Sequence, residues 1–425
     1  MPSGAIIHVL YLAKPVIRIV KEPIMTDIAV TGVSVICSLG IGRKAFWEGL
    51  TNARSGIKKI QSFDTTALRS NIAGCVEDFD PRRFMPTNVY RRMSRISQMA
   101  VAASMEALAD SGLKLDQMDR DRIAVIMGTA YGSSSSVEDF YVSFLSDGPR
   151  GAQPLYFPET VPNAPASHIA MFHGITGPNT TFCQNGISAE NAVLYAQNIL
   201  AGNYADIALV GGADELSPIL YNCYNTFIQG IRADDDGQVR PRPGNGIVLG
   251  EGAGIIVMER MDYALRRGAR IYGILKSAVQ TGGYTQIGHY EYGGVQMRRA
   301  IELAIEIAGV GPEELDQICV SANYSGELDR MEARGLSGIF DQQADDLIVT
   351  PLKYLAGDFG GAGILSISAT LMGLRNQVSL PGVRLSSLLG ESDMEWQRPG
   401  KSVIASSLLT SSTFGGGSAA MVFTK

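Results

Sequence analysis

The chain has 425 residues, of which 45% are hydrophobic and only 18% charged, with 48 glycines and a formal net charge of −6 at pH 7. That length supports two large domains or a fused pair of similar halves, and the glycine-rich, charge-poor profile fits an α/β protein with buried strands and tight turns. An acidic chain without basic runs interleaved with aromatics does not suit nucleic acid or a membrane surface bound through long-range charge.

Residues 1–24 read as an N-terminal extension. Ala5 to Ala13 is apolar, but Lys14, Pro15, Arg18 and Lys21 interrupt it before it reaches bilayer-spanning length. The positive charge follows the apolar run, whereas a secretory signal places it ahead. The fold is therefore expected to begin near Met25, with a strand over Ile28–Cys37. Further strands are expected at Ile123–Met127, Ile207–Val210, Ile255–Met258, Ile271–Leu275, Gln317–Ala322, Leu347–Thr350, Ser402–Ser406 and Ala419–Phe423. Between them, apolar residues at three- and four-residue spacing predict helices over Met93–Ser111, Ala189–Ala201, Gly294–Gly309 and Ala362–Arg375. This alternation implies mixed sheets with covered faces.

Two turns echo one another. Gln184-Asn185-Gly186-Ile187-Ser188-Ala189 leads into a helix ending near Gly202, and Gly357-Asp358-Phe359-Gly360-Gly361-Ala362 leads into one ending near Leu374. A glycine-rich turn at a helix N-terminus offers free backbone N–H groups to negative charge. The echo points to a duplicated core, one half over 25–265 and the other over 266–425, with no linker rich in Pro, Ser or charge between them. The five cysteines are scattered and never spaced as C-x-x-C, and the four histidines form no ligand-spaced cluster. Reduced thiols in a cytoplasmic protein without a metal centre are expected.

Several runs, in order, resemble β-ketoacyl-acyl carrier protein synthases. They are Gly174-Ile175-Thr176-Gly177-Pro178-Asn179, Gly211-Gly212-Ala213-Asp214-Glu215, Gly250 to Arg260 continuing through Ala269, Lys353 to Gly363, and Phe414-Gly415-Gly416-Gly417. The resemblance spans Met25 to Lys425. It implies a thiolase-like duplicated α/β/α/β/α sandwich with mixed sheets, normally dimeric and without a resident cofactor. The family's chemistry needs a cysteine at a helix N-terminus to carry the acyl group and two histidines for decarboxylation and for holding the thioester oxygen. The ungapped spacing from Gly177-Pro178 to Ala205-Asp206 puts Gly186, not Cys183, at the cysteine's position. The histidine positions fall on Asn323 and Asp358. Glycine cannot be acylated, and an ionised aspartate repels an oxyanion. Lys353 of the second motif is kept, five residues before Asp358 and within reach of an ion pair. The gatekeeper phenylalanine position falls on Ser412, while the second phenylalanine stands as Phe414.

Gly326-Glu327-Leu328-Asp329-Arg330-Met331-Glu332-Ala333 and Ala356 to Ala362 are similar to chain length factors, the non-condensing ketosynthase β subunits of bacterial type II polyketide systems. That resemblance implies a heterodimer with a catalytic ketosynthase, acyl chains carried on acyl carrier protein and held by the partner, and a tunnel shaped by this chain for an aromatic or polyene product. One departure is that many chain length factors carry glutamine where Gly186 stands; Gln184 is two residues upstream and does not replace it.

Other residues carry competing readings. Cys183 as a displaced nucleophile would make the chain a malonyl-carrier-protein decarboxylase or a 3-oxoacyl-carrier-protein synthase using an unaligned residue; buried structural cysteine is the commoner state. A homodimer with some other binding role is the third reading. His168 and His173 read as structural. Glu251 is expected to bind backbone N–H groups in its glycine turn rather than act as a base. Phe140, Tyr141 and Phe144, after Ser133-Ser134-Ser135-Ser136, are expected in a tunnel or at an interface, against the simpler role of core packing.

Overall fold

The structure is a computed structural model that describes residues 27–154, 156–227, 230, 241–286, 288–340, 346–390 and 394–425. The expected extension over 1–24 lies outside the described residues. The main strands and helices fall into two series. The first is β1 (Ile28–Cys37), α1 (Arg95–Ser111), β2 (Ile123–Gly128), α2 (Ser134–Asp147), α3 (Ala164–His173), β3 (Asn179–Phe182), α4 (Ser188–Ala201), β4 (Ile207–Asp214) and β5 (Gly252–Arg260). The second is β6 (Gly273–Gly282), α5 (Val295–Ala308), β7 (Gln317–Val320), α6 (Gly326–Phe340), β8 (Ile348–Pro351), α7 (Gly363–Asn376), β9 (Ser406–Ser412) and β10 (Gly417–Thr424).

The strand order repeats between the series. The first half runs β3-β2-β4-β5-β1 and the second β8-β7-β9-β10-β6. In each, the first two contacts are parallel and the last two antiparallel. Ile28–Val30 of β1 pairs antiparallel with Gly273–Leu275 of β6, so the halves join edge to edge. β1 has β5 on one side and β6 on the other, and all ten of its residues are buried. A strand covered on both faces needs a continuous apolar and β-branched run, as in Ile28-Ala29-Val30-Thr31.

The helices complete the layers. α1 covers β1 and β5, and α5 covers the equivalent β6 and β10. α4 and α7 lie against each other between the halves, in one core with Ala189, Val193, Ile364 and Leu371 fully buried. Burial of each large aliphatic side chain there contributes roughly 1.5–3 kcal/mol. The result is the duplicated, thiolase-like α/β/α/β/α sandwich expected from the sequence.

The strand expected at Ser402–Ser406 is displaced: β9 begins at Ser406 and runs to Ser412. Ahead of it, Val403 is exposed and Ile404 buried. β9 carries Leu408 and Leu409 among small hydroxyl residues between β7 and β10, where Ser412 Oγ meets Ser418 Oγ at 2.8 Å. Among the described residues, no helix is long and apolar enough to cross a membrane, and no group of three or more His, Cys, Asp or Glu side chains could hold a metal ion.

Candidate functional site

The turns that precede α4 and α7 follow the ends of β3 and β8, and they meet at one cavity. Gly186 and Asn185 come from the first turn, Asp358 and Phe359 from the second, and Tyr290 and Phe414 from two loops of the second half. The cavity measures about 30 Å³, room for a water or two rather than an acyl chain.

Gly186 lies in the short 3₁₀ turn Asn185–Ile187, behind Asn185 with its φ of +44°. Its N–H donates to Thr413 Oγ1 at 3.2 Å, and its carbonyl accepts from Ser411 Oγ at 3.2 Å. A Cβ at this position would stand 2.9 Å from the Ser412 carbonyl oxygen. A side chain at this position would meet packed backbone. Gln184 turns elsewhere, its side-chain oxygen accepting from the Asn191 amide. Cys183 is exposed, and partial burial of its thiol together with the Asp214 carboxylate raises its pKa. The three described histidines have partners away from it: His168 pairs with Glu159, His173 with Ser104 and His289 with Glu327.

Asn323 and Asp358 do come together. Asn323 Nδ2 donates to Asp358 Oδ2 at 2.6 Å, while Asn323 Oδ1 accepts from the Ser325 N–H at 3.0 Å. Lys353 Nζ stands 2.8 Å from Asp358 Oδ1 and is almost wholly buried. Gly357 makes this approach possible: its φ is +83°, and a Cβ there would fall 2.6 Å from the Leu249 carbonyl oxygen. Burial disfavours the Lys353 ammonium, but Asp358, Glu190 and Glu332 outweigh it and raise its pKa. The same burial pushes Glu190 up, and Glu332 up to about 7 despite three hydrogen bonds from Ser321 and Thr410. Asp329, which accepts from the Asn323 N–H at 3.0 Å and Tyr354 Oη at 2.7 Å, is pushed up to about 8 by burial. The site is one lysine among carboxylates, with the amide of Asn323 committed to Asp358.

Two further carboxylates act as clamps. Asp214 accepts from Thr129 Oγ1 at 2.7 Å and from the N–H groups of Ala130 and Gly361, and burial raises it to about 6. Glu251 binds backbone N–H groups, but not those of its own glycine turn. It accepts from the Val76 N–H at 2.9 Å and pairs with Arg95 at 2.7 Å, tying the strand entry to α1.

Of the remaining expected residues, Phe414 lines the cavity, whereas Ser412 is buried with its hydroxyl on Ser418. Phe140, Tyr141 and Phe144 stand apart from the cavity on α2, which Ser133 caps through a bond from the Ser136 N–H. Phe140 and Phe144 stack at 6.4 Å, and Phe157 joins them at 5.9 Å from Phe140. Tyr141 is 56% exposed and Phe144 37%, so core packing within this chain does not describe those two, while Phe140 is half-buried among the rings. Sequence reasoning missed Tyr290, Glu190 and Glu332. The available signal for the two glutamates was a carboxylate on a helix face otherwise apolar, as Glu190 is beside Ala189, Ala192 and Val193.

The chain is similar to known proteins along most of its length. The family described as "Beta-ketoacyl synthase, N-terminal domain" matches residues 25–264, and "Beta-ketoacyl synthase, C-terminal domain" matches residues 272–386. A protein named as granaticin polyketide β-ketoacyl synthase 1 in Streptomyces violaceoruber is 31% identical, over 93% of this chain and 97% of its own. The 3-oxoacyl-[acyl-carrier-protein] synthase 2 of Synechocystis sp. is 28% identical, over 94% and 98%. Among solved structures, "The ishigamide ketosynthase/chain length factor" superimposes with a TM-score of 0.85 at 26% identity, covering 94% of this chain and 99% of that one.

Proposed function

Since the chain belongs to the β-ketoacyl synthase family, we propose that it is a non-condensing chain length factor of a type II polyketide system, pairing with a catalytic ketosynthase and shaping the tunnel in which that partner extends its chain. The observation that carries this reading is the wiring of the three former reactive positions. Gly186 has no side chain and no room for one, Asn323 spends its amide on Asp358, and Asp358 is neutralised by Lys353. Acyl transfer needs a nucleophile beside a base and donors aimed at the oxyanion; here the donors are used on a carboxylate. The same tie argues against a malonyl-carrier-protein decarboxylase, whose enolate oxygen would need the Asn323 amide.

A heterodimer is supported by two unpartnered surfaces. β3 is an edge strand whose pairing among the described residues is with β2 alone, and an open edge invites another chain. α2 presents Tyr141, Val142 and Leu145 to solvent beside the exposed Phe157, a contiguous apolar surface of the kind that marks an interface. In this reading the halves 25–265 and 266–425 act as one scaffold in the cytoplasm. The chain needs no cofactor, and the acyl carrier protein delivers acyl groups to the partner.

Co-expression tests the proposal. Expressed with a ketosynthase that carries an intact Cys-His-His set, the chain is expected to copurify in equal amount and to be required for product, while alone it condenses nothing. Acylation of the isolated chain at Cys183 by a cysteine-directed acyl mimic would sink this reading in favour of an enzyme using that thiol.

A further inference from the structure

The cavity holds a residue that neither the condensing chemistry nor the Lys353 network requires. Tyr290 stands between β6 and α5 and lines the cavity with Gly186, Asp358 and Phe414. Its ring packs on Phe414 with 4.7 Å between centroids at an inclination of 43°. Burial and the neighbouring Asp358 carboxylate raise its phenol well above the usual tyrosine range, and the Asn323 side chain lies within hydrogen-bonding reach.

The backbone around Tyr290 is anchored. Its N–H donates to Glu327 Oε2 at 3.2 Å, and the preceding His289 places Nδ1 3.1 Å from Glu327 Oε1. The same segment is laced to the turn that carries Phe414: Gly283 N–H donates to the Gly416 carbonyl at 2.9 Å, and Gly415 N–H donates to the His289 carbonyl at 3.2 Å. Tyr290 and Phe414 are therefore fixed against each other from both sides. Pockets that hold organic ligands usually enclose about 300–1,000 Å³, against about 30 Å³ here. Tyr290 and Phe414 stand in contact on the wall of this small space.

We propose that Tyr290 is a resident plug: its side chain occupies the volume beside Asp358 that a linear acyl chain would need, and so denies this chain's own site to acyl groups. The inference rests on the reading of the chain as a non-condensing partner, and it supplies that reading with a means of keeping the growing chain in the ketosynthase. The Asn323 side chain is within hydrogen-bonding reach of the phenol, and the role assigned to the ring is steric.

A long-chain fatty acid bearing a photoreactive diazirine tests this on the full chain, alone or with whatever ketosynthase copurifies, with labels mapped to peptides. In the natural protein, the peptides carrying Gly186, Asp358 and Phe414 are expected to stay unlabelled. Tyr290→Ala should label them roughly tenfold or more, the worth of about two buried methylenes. Tyr290→Leu, a milder truncation, should label to an intermediate extent, and Tyr290→Phe, which keeps the ring, should stay dark. Natural protein labelled as strongly as Tyr290→Ala overturns the proposal, as do folded Ala and Leu variants that take no label. Labelled natural protein that still copurifies with ketosynthase removes the plug alone. Unlabelled protein that never pairs removes the pairing alone.

Discussion

At Lys353 the physical chemistry is that of a charge that cannot be left by itself. Its ammonium is buried with Asp358 at 2.8 Å, and Glu190 and Glu332 add to the field. Removing one partner of a buried pair strands the other without solvent. Lys353→Met is expected to destabilise the fold by about 3–5 kcal/mol, measured by denaturant unfolding. The double substitution Lys353→Met/Asp358→Asn should recover a large part of that loss, because the stranded charge goes with the lysine. If the two losses simply add, Lys353 and Asp358 are not coupled. The five-residue spacing made this pair legible in the sequence; its burial, and the commitment of Asn323 to the same carboxylate, were not.

At the scale of elements, α2 is the helix whose sequence and surroundings disagree most within a single chain. Its apolar residues are too many for a solvated helix, yet Tyr141 and Leu145 are 56% and 78% exposed. An apolar face left open on a stable helix is explained by something that covers it. Replacing Phe140, Tyr141 or Phe144 with alanine is expected to shift the lengths of the products made by the assembled complex, with losses of stability at the exposed Tyr141 within about 0.5 kcal/mol. Product profiles that stay unchanged across all three variants would remove these residues from the tunnel. The ring cluster with Phe157 was not visible in the spacing of α2, since Phe157 arrives from outside the helix.

For the whole molecule, buried carboxylates set the dependence of stability on pH. Asp329, Glu332 and Asp214 are pushed by burial up to about 8, 7 and 6 from ordinary values of 3.8, 4.5 and 3.8. A raised acid means that the folded state binds more protons than the unfolded one, so stability falls as pH rises. The contribution is complete below about pH 4, declines through the interval between, and is lost above about pH 8. Glu159 works in the opposite sense: although burial alone would raise it, His168 and Ser94 pull it down to about 2, so its stabilisation is present above about 4.5 and fades as pH drops. Urea titrations across pH 5 to 8 are expected to show a falling midpoint, and Asp329→Asn should flatten that slope. A slope that this variant leaves unchanged would mean Asp329 is ionised in the folded protein near neutrality.

The sequence by itself determined the alternation of strands and helices, and its resemblance to β-ketoacyl synthases implied duplicated halves and reactive groups missing at Gly186, Asn323 and Asp358. The alternation is a property of local patterning, and the resemblance rests on motifs kept in order along the chain; both survive without knowledge of contacts. Only the tertiary structure decided what surrounds Gly186 and Asp358. The Gly186 N–H meets Thr413 across 227 positions of sequence, and Glu190 and Lys353 reach the same interior from different halves. Tyr290 comes from a loop with no periodicity to mark it. Side chains that converge from such separations are selected by the volume and charge left at the junction of the halves, and that junction exists only once the chain has folded.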